Sequence, residues 1–178
     1  LLDAIGWVQE RDLAEQRLLE PACGDGAVLV PAARRLFRSA RAWGRRNDEA
    51  RLAECLVAYE IDSATVEAAR EKVAAALTKE GARRSMAKTL AKHWIRQGDF
   101  LLQRHDAPFT HVATNPPYLR WSRIPTRLRN LYEREVPRYA ARGDLSLAFL
   151  QRSLELLSIG GCCSFLFPDR WLRSQYGE

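Results

Sequence analysis

An asparagine, two prolines and a tyrosine in succession, Asn115-Pro116-Pro117-Tyr118, follow the apolar run Phe109 to Ala113. The run reads as a buried strand. The prolines carry no backbone donor and stiffen the chain where a strand should stop. Pro116 also holds Asn115 extended. One amide and one aromatic ring therefore stand on a rigid ledge at a strand's carboxyl end, where open α/β sheets bind ligands. The amide offers a donor and an acceptor, and the ring offers a face for stacking. Together they suit a planar ligand with an amino group, such as a nucleobase.

Three further strand ends carry polar or glycine features. In Leu19-Glu20-Pro21-Ala22-Cys23-Gly24-Asp25-Gly26 a short strand passes through a small-residue turn into a helix. The glycines let a ligand approach the backbone, and the helix start offers amide donors. Position 29 is Leu, so the third glycine of a dinucleotide fingerprint is missing and a plain tight turn is the alternative. Glu60 closes the next strand, where an acidic residue can hold ribose hydroxyls; a solvent-facing carboxylate is the alternative. Asp99, after Gly98, can accept from an adenine amine, with Phe100 against the adenine face; a plain turn is the alternative.

The elements that must position these residues alternate. Strands are expected at Arg17 to Glu20, Leu56 to Glu60, His93 to Arg96, Phe109 to Ala113 and Cys162 to Phe167, with Pro168 closing the last. Helices are expected from Ala27 to Trp43, Glu49 to Glu54, 63 to 79 with Asp62 or Ser63 as cap, and Leu145 to Ser158, ended by Gly160-Gly161. In that last helix Leu147, Leu150, Leu154 and Leu157 or their neighbours mark the apolar face. The stretch Gly81 to Lys92 is basic and reads as a helix or a surface insertion, and Pro125 and Pro137 bracket a short helix. Strand then helix, repeated, predicts an α/β fold: a mainly parallel sheet with helices on both faces.

Composition narrows the partners. The chain has 178 residues and a net charge of +6, enough for one domain with a core and a surface suited to a polyanion. Trp121, Arg123, Arg127, Arg129, Arg134 and Arg138 lie together within positions 119 to 142. Cys23, Cys55, Cys162 and Cys163 form no C-x-x-C pair, which fits a reducing cytoplasm with neither disulfides nor a zinc site. Adjacent Cys162 and Cys163 are expected on opposite faces of their strand. His93, His105 and His111 are scattered, so no metal site is expected. No apolar run approaches membrane-spanning length. A start at Leu1 and a stop at Glu178 read as a piece of something longer.

Taken together, the motifs resemble those of the S-adenosylmethionine-dependent, adenine-specific DNA methyltransferases of restriction-modification systems, in the group that places the cofactor motif before Asn-Pro-Pro-Tyr. The resemblance implies a Rossmann-like methyltransferase fold, incomplete at both ends. It assigns Glu20, Pro21, Ala22, Cys23, Gly24, Gly26, Glu60, Ile61, Asp99 and Phe100 to S-adenosylmethionine, and Asn115, Pro116, Pro117 and Tyr118 to catalysis. It further implies direct methyl transfer to the exocyclic amine of an adenine flipped out of double-stranded DNA, with no metal. Trp121, Arg123 and Arg127 are the substrate-side candidates. Asp144-Leu145 and the stretch from Gly161 to Pro168 and Ser174-Gln175-Tyr176-Gly177 also look like the family.

On this reading residues 1–16 lead in and 17–178 are a partial catalytic domain, with 119–142 its basic segment and the target-recognition domain absent. Little before Glu15 resembles the helical motif that helps enclose the cofactor in the family. Restriction or phage-defence subunits or domains are the expected partners. The alternatives are a methyltransferase for ribosomal RNA or a release-factor glutamine, or a catalytically silent module that binds DNA or a partner.

Overall fold

The computed structural model describes residues 1–105, 108–136 and 144–167. Pro137, Arg138, Arg142, Pro168 and Ser174-Gln175-Tyr176-Gly177 lie outside the described residues.

In chain order the elements are β1 (Leu18–Glu20), α1 (Leu29–Ala42), α2 (Glu49–Ala53), β2 (Leu56–Glu60), α3 (Ser63–Lys79), α4 (Arg84–Trp94), β3 (Ile95–Gln97), β4 (Phe109–Thr114), α5 (Thr126–Glu135), α6 (Leu145–Leu156) and β5 (Leu157–Phe165). The strands form one sheet in the order β3-β2-β1-β4-β5, and every pairing is parallel. Parallel strands need crossovers, and the helices that make them cover both faces. Side-chain alternation divides β1, β2 and β4 between two cores. Leu18, Leu56, Ala58, Ile95 and Ala113 join the core built with α1, α3 and α4. Leu19, Val57, Tyr59, Phe109 and Val112 join the core closed by α5 and α6.

Short side chains fix the helix starts. Asp62 accepts from the Thr65 amide at 2.8 Å ahead of α3, and Asp48 and Asp144 cap α2 and α6 in the same way. At the other end of α3, Glu80 joins α3 to α1: Arg34 and Arg38 each donate through Nε at 2.8 Å. The Arg38 hydrogen bond, seconded by Arg34, holds the Glu80 carboxyl at about 2, below its ordinary 4.5. A depressed folded pKa adds stability that is complete above the unfolded value and disappears as pH falls through the folded one. Glu80→Gln is therefore expected to flatten the loss of stability between pH 4.5 and 2, read from urea midpoints at successive pH values.

The structure corrects two expectations and decides two that were open. Ile95 to Gln97, not His93 to Arg96, is the third strand: His93 and Trp94 finish α4, with the buried Trp94 donating from Nε1 to the Leu52 carbonyl at 3.0 Å. The basic stretch after Gly81 is that helix. The last helix stops at Leu156, and Gly160-Gly161 lie within β5. There, two steps along β4, Phe109 to His111, pair with five along β5, Leu157 to Cys162, so the strand bulges. Gly160 takes φ +78° in the bulge, and a Cβ on Gly161 would meet Leu157 Cγ at 2.8 Å. Finally, α6 buries Leu145, Ala148, Phe149 and Ser153, while Leu154 is exposed.

The lead-in residues are part of the fold rather than a preface to it. Two 3-10 turns, Asp3–Ile5 and Leu13–Glu15, flank Trp7, which is fully buried and donates to the Ala32 carbonyl at 3.1 Å. Among the described residues no helix is long and apolar enough to cross a membrane.

Candidate active site

Because the strands run parallel, β1, β2, β3 and β4 bring Glu20, Glu60, Asp99 and Asn115 to one edge of the sheet. The strand order reverses between β1 and β4, which opens a crevice at their carboxyl ends. The Glu20 turn lies on one side of it and Asn115 on the other.

The turn after β1 is held before any ligand arrives. The Cys23 amide donates to the Tyr59 carbonyl at 2.9 Å, and the Gly26 amide to the Cys23 carbonyl at 2.9 Å. Pro21 and Cys23 are buried and Ala22 is half-buried, so these three side chains shape the turn from beneath. Gly24 and Gly26 have φ of +51° and +93°, where L-residues are strained. A Cβ on Gly26 would press on Val30 Cγ2 at 3.3 Å, whereas one on Gly24 would meet nothing within 4 Å. Gly24 thus faces open space and Gly26 allows close packing. Burial pushes the Cys23 thiol up, so it is a packed side chain and not a nucleophile.

Glu60 organises this edge. Its Oε2 accepts from the Gly24 amide at 3.1 Å and its Oε1 from the Asp62 amide at 3.0 Å. Each oxygen keeps a lone pair for a further donor. Ile61, next in sequence, is an exposed apolar side chain. Glu20 is 1% exposed, and its Oε2 has no hydrogen-bond partner among the described residues. Burial raises its carboxyl well above the usual range. A buried carboxyl without a partner is costly, and an incoming cation would relieve it. S-adenosylmethionine carries an ammonium and a sulfonium, so the orphaned Glu20 oxygen, the open side of Gly24 and the lone pairs of Glu60 fit it.

Asp99 follows β3. Its Oδ1 accepts from the Leu101 amide at 3.0 Å, and its Oδ2 from the Tyr132 hydroxyl at 2.5 Å. Burial raises its pKa. Phe100 departs from its expected place: it is 1% exposed and packs on Phe149, ring centroids 5.3 Å apart, and on Tyr59. The 3-10 turn Phe100–Leu102 that Asp99 caps turns the ring into the core, so it presents no face at the strand ends.

On the ledge after β4, Pro116 is buried and Asn115 is exposed. The single proton of the Tyr118 hydroxyl has two acceptors within reach, Asn115 Oδ1 at 2.5 Å and the Leu166 carbonyl at 2.6 Å. The ring is 38% exposed, tethered at its tip with a face left to solvent. Burial, and then the Asp144 carboxylate, push the Tyr118 phenol up, so it stays a donor. The chain beyond is pinned by the Leu145 amide on the Leu119 carbonyl at 2.8 Å and by an isolated antiparallel backbone β-bridge between Arg120 and Asp144. Trp121 packs against Tyr132, centroids 5.9 Å apart, while Arg123 and Arg127 are exposed.

Sequence reasoning missed Tyr132. Its one signal was the i, i+4 pair with Leu128, which marks a buried stripe on an otherwise charged helix. Both residues join the core closed by α5 and α6.

The Eco57I restriction-modification methylase family matches residues 54–178. The type II methyltransferase M.PaeR7I of Pseudomonas aeruginosa is 37% identical over 99% of this chain and 31% of its own length. For M.XhoI of Xanthomonas vasicola the figures are 36%, 99% and 33%. The chain thus spans about a third of the length of the curated relatives it matches. In fold it is similar to the M protein of the type I restriction enzyme EcoKI, with a TM-score of 0.57 at 17% identity over 96% of this chain and 36% of that one.

Proposed function

This chain belongs to the Eco57I restriction-modification methylase family, and from that premise we propose that it is the cofactor-binding and transfer portion of a DNA adenine methyltransferase acting in the cytoplasm. The observation that carries the reading is the convergence of the Gly24 cradle, Glu60, Asp99 and the Asn115-to-Tyr118 ledge on one sheet edge. When bound, S-adenosylmethionine supplies a methyl group activated by the sulfonium charge. Glu20 and the backbone around Gly24 hold its amino-acid end, Glu60 its ribose and Asp99 its adenine amine, with Ile61 against the purine.

An adenine amine is a poor nucleophile because its lone pair is delocalised into the ring. Asn115 Oδ1 and the Pro116 carbonyl would accept hydrogen bonds from the two N–H groups of the amine. This would favour a more tetrahedral nitrogen whose lone pair is freed from the ring for transfer. Asn115 Oδ1 already takes the Tyr118 hydroxyl and keeps a second lone pair for this. Tyr118 stacks on the base with a ring whose tilt its tether has already set. Orientation and fixed dipoles therefore supply the catalysis. A base within a duplex cannot reach the ledge and must be flipped. Arg123, Arg127 and their neighbours hold the phosphates, and Trp121 braces α5 behind them.

We place the choice of DNA sequence, and any cleavage or defence partner, outside residues 17–178. The test uses the full-length parent protein with unmethylated DNA and S-adenosylmethionine, followed by nucleoside mass spectrometry. 6-Methyladenine is expected. Methylation only of RNA or of a protein glutamine would replace the DNA reading with those substrates, and cofactor-independent DNA binding without any methylation would favour a silent module.

A further inference from the structure

Helix α5 carries Arg127, Arg129 and Arg134, and of its ten residues Tyr132 alone is fully buried. That anchor is 3% exposed. A buried phenol must place its proton on an acceptor, and this one places it on Asp99 Oδ2 at 2.5 Å. Among the described residues Tyr132 is the only side chain that donates to Asp99; its other donor is the Leu101 amide on Oδ1. One donor on each oxygen fixes both the plane and the rotamer of the carboxylate and leaves lone pairs free for a third.

We infer that Tyr132 is a positioning residue for the purine end of the cofactor site, aiming the Asp99 carboxylate at the exocyclic amine and thereby tying the arginine-rich helix α5 to the cofactor. The inference rests on the cofactor reading above. Its physical content is selectivity: an oriented carboxylate oxygen accepts from an amine, and it gains nothing from a purine without one. Burial alone raises Asp99, and the Tyr132 hydroxyl opposes that rise. The phenol is itself pushed up, by burial and by Asp99, so it remains protonated and keeps donating. Trp121, packed on the Tyr132 ring, holds the anchor from the DNA side. Any displacement of α5 as its arginines meet phosphate is passed to Asp99 through this single hydrogen bond.

The experiment is calorimetric binding of S-adenosylhomocysteine and of its counterpart lacking the 6-amino group to the full-length parent protein. The wild type is expected to prefer the amine by about tenfold or more, as one hydrogen bond to a charged group implies. Tyr132→Phe is expected to reduce that preference to about threefold or less, and Asp99→Asn, alone or added to Tyr132→Phe, to reduce it no further, because both changes cut one connection. A Tyr132→Phe protein that keeps the wild-type preference overturns the inference, even if it binds both ligands more weakly, since uniform loosening of the fold does not distinguish them. Independent, additive effects of the two substitutions overturn it as well. A wild type that binds neither ligand removes the cofactor reading itself, an outcome distinct from an unaltered variant.

Discussion

Asn115→Ala is expected to leave S-adenosylhomocysteine binding within about twofold of wild type and to lower single-turnover methyl transfer by about 10²–10³-fold or more, the scale set by losing one oriented group at a reacting centre. The structure makes this substitution informative. Asn115 is exposed on the ledge, so its removal leaves no cavity. Its one described side-chain partner, the Tyr118 hydroxyl, has a second acceptor in the Leu166 carbonyl at 2.6 Å. Tyr118 therefore stays tethered when Asn115 is gone, and stacking survives. What disappears is the acceptor proposed to shape the amine. The measurement pairs calorimetry with transfer of labelled methyl to DNA. Equal losses in cofactor affinity and in rate would assign Asn115 to the cofactor side and sink the role given to it here.

Chemistry was easier to read in the sequence than packing was. Asn115-Pro116-Pro117-Tyr118 and Gly24-Asp25-Gly26 declare themselves because backbone constraint and residue type coincide within a few positions, and the strands before them are short apolar runs whose ends those residues mark. Glu60 and Asp99 followed, since strand, turn and helix repeat in order and put an acid at each end. Tyr132 was hidden because its importance lies in a partner 33 residues away, and its neighbours Arg129 and Arg134 made the helix look like solvated surface. Phe100 misled for a related reason. Adjacent residues at a strand end point in opposite directions, and the capping bond from Leu101 to Asp99 fixes the turn that sends Phe100 into the core. Gly160-Gly161 carries the usual mark of a helix end, yet the pair serves a bulge whose need arises only from pairing with β4. Trp7 lay in a stretch without periodicity, and only tertiary burial against Ala32 shows why it is there.

Glu60→Ala is expected to weaken S-adenosylmethionine binding by about 10²-fold or more, at roughly 1.5–3 kcal/mol for each hydrogen bond to a charged group. The effect has two sources. Without ligand, Glu60 holds the Gly24 amide at 3.1 Å and the Asp62 amide at 3.0 Å. Its removal frees the glycine turn, whose φ of +51° at Gly24 is one of many that glycine can adopt. With ligand, the ribose hydroxyls lose their acceptor. Glu60→Gln separates the two, because an amide keeps one acceptor oxygen but turns an NH₂ towards one of the two backbone donors, giving a loss between wild type and alanine. Glu60 does not touch the reacting atoms, so at saturating cofactor the transfer rate should remain within about threefold of wild type while KM rises. A rate that falls as steeply as the affinity would mean that the turn after β1 also orients the methyl group towards Asn115. The cradle and the ledge face each other across the crevice between β1 and β4, which makes the ratio of those two losses a direct measure of how rigidly one side is held against the other.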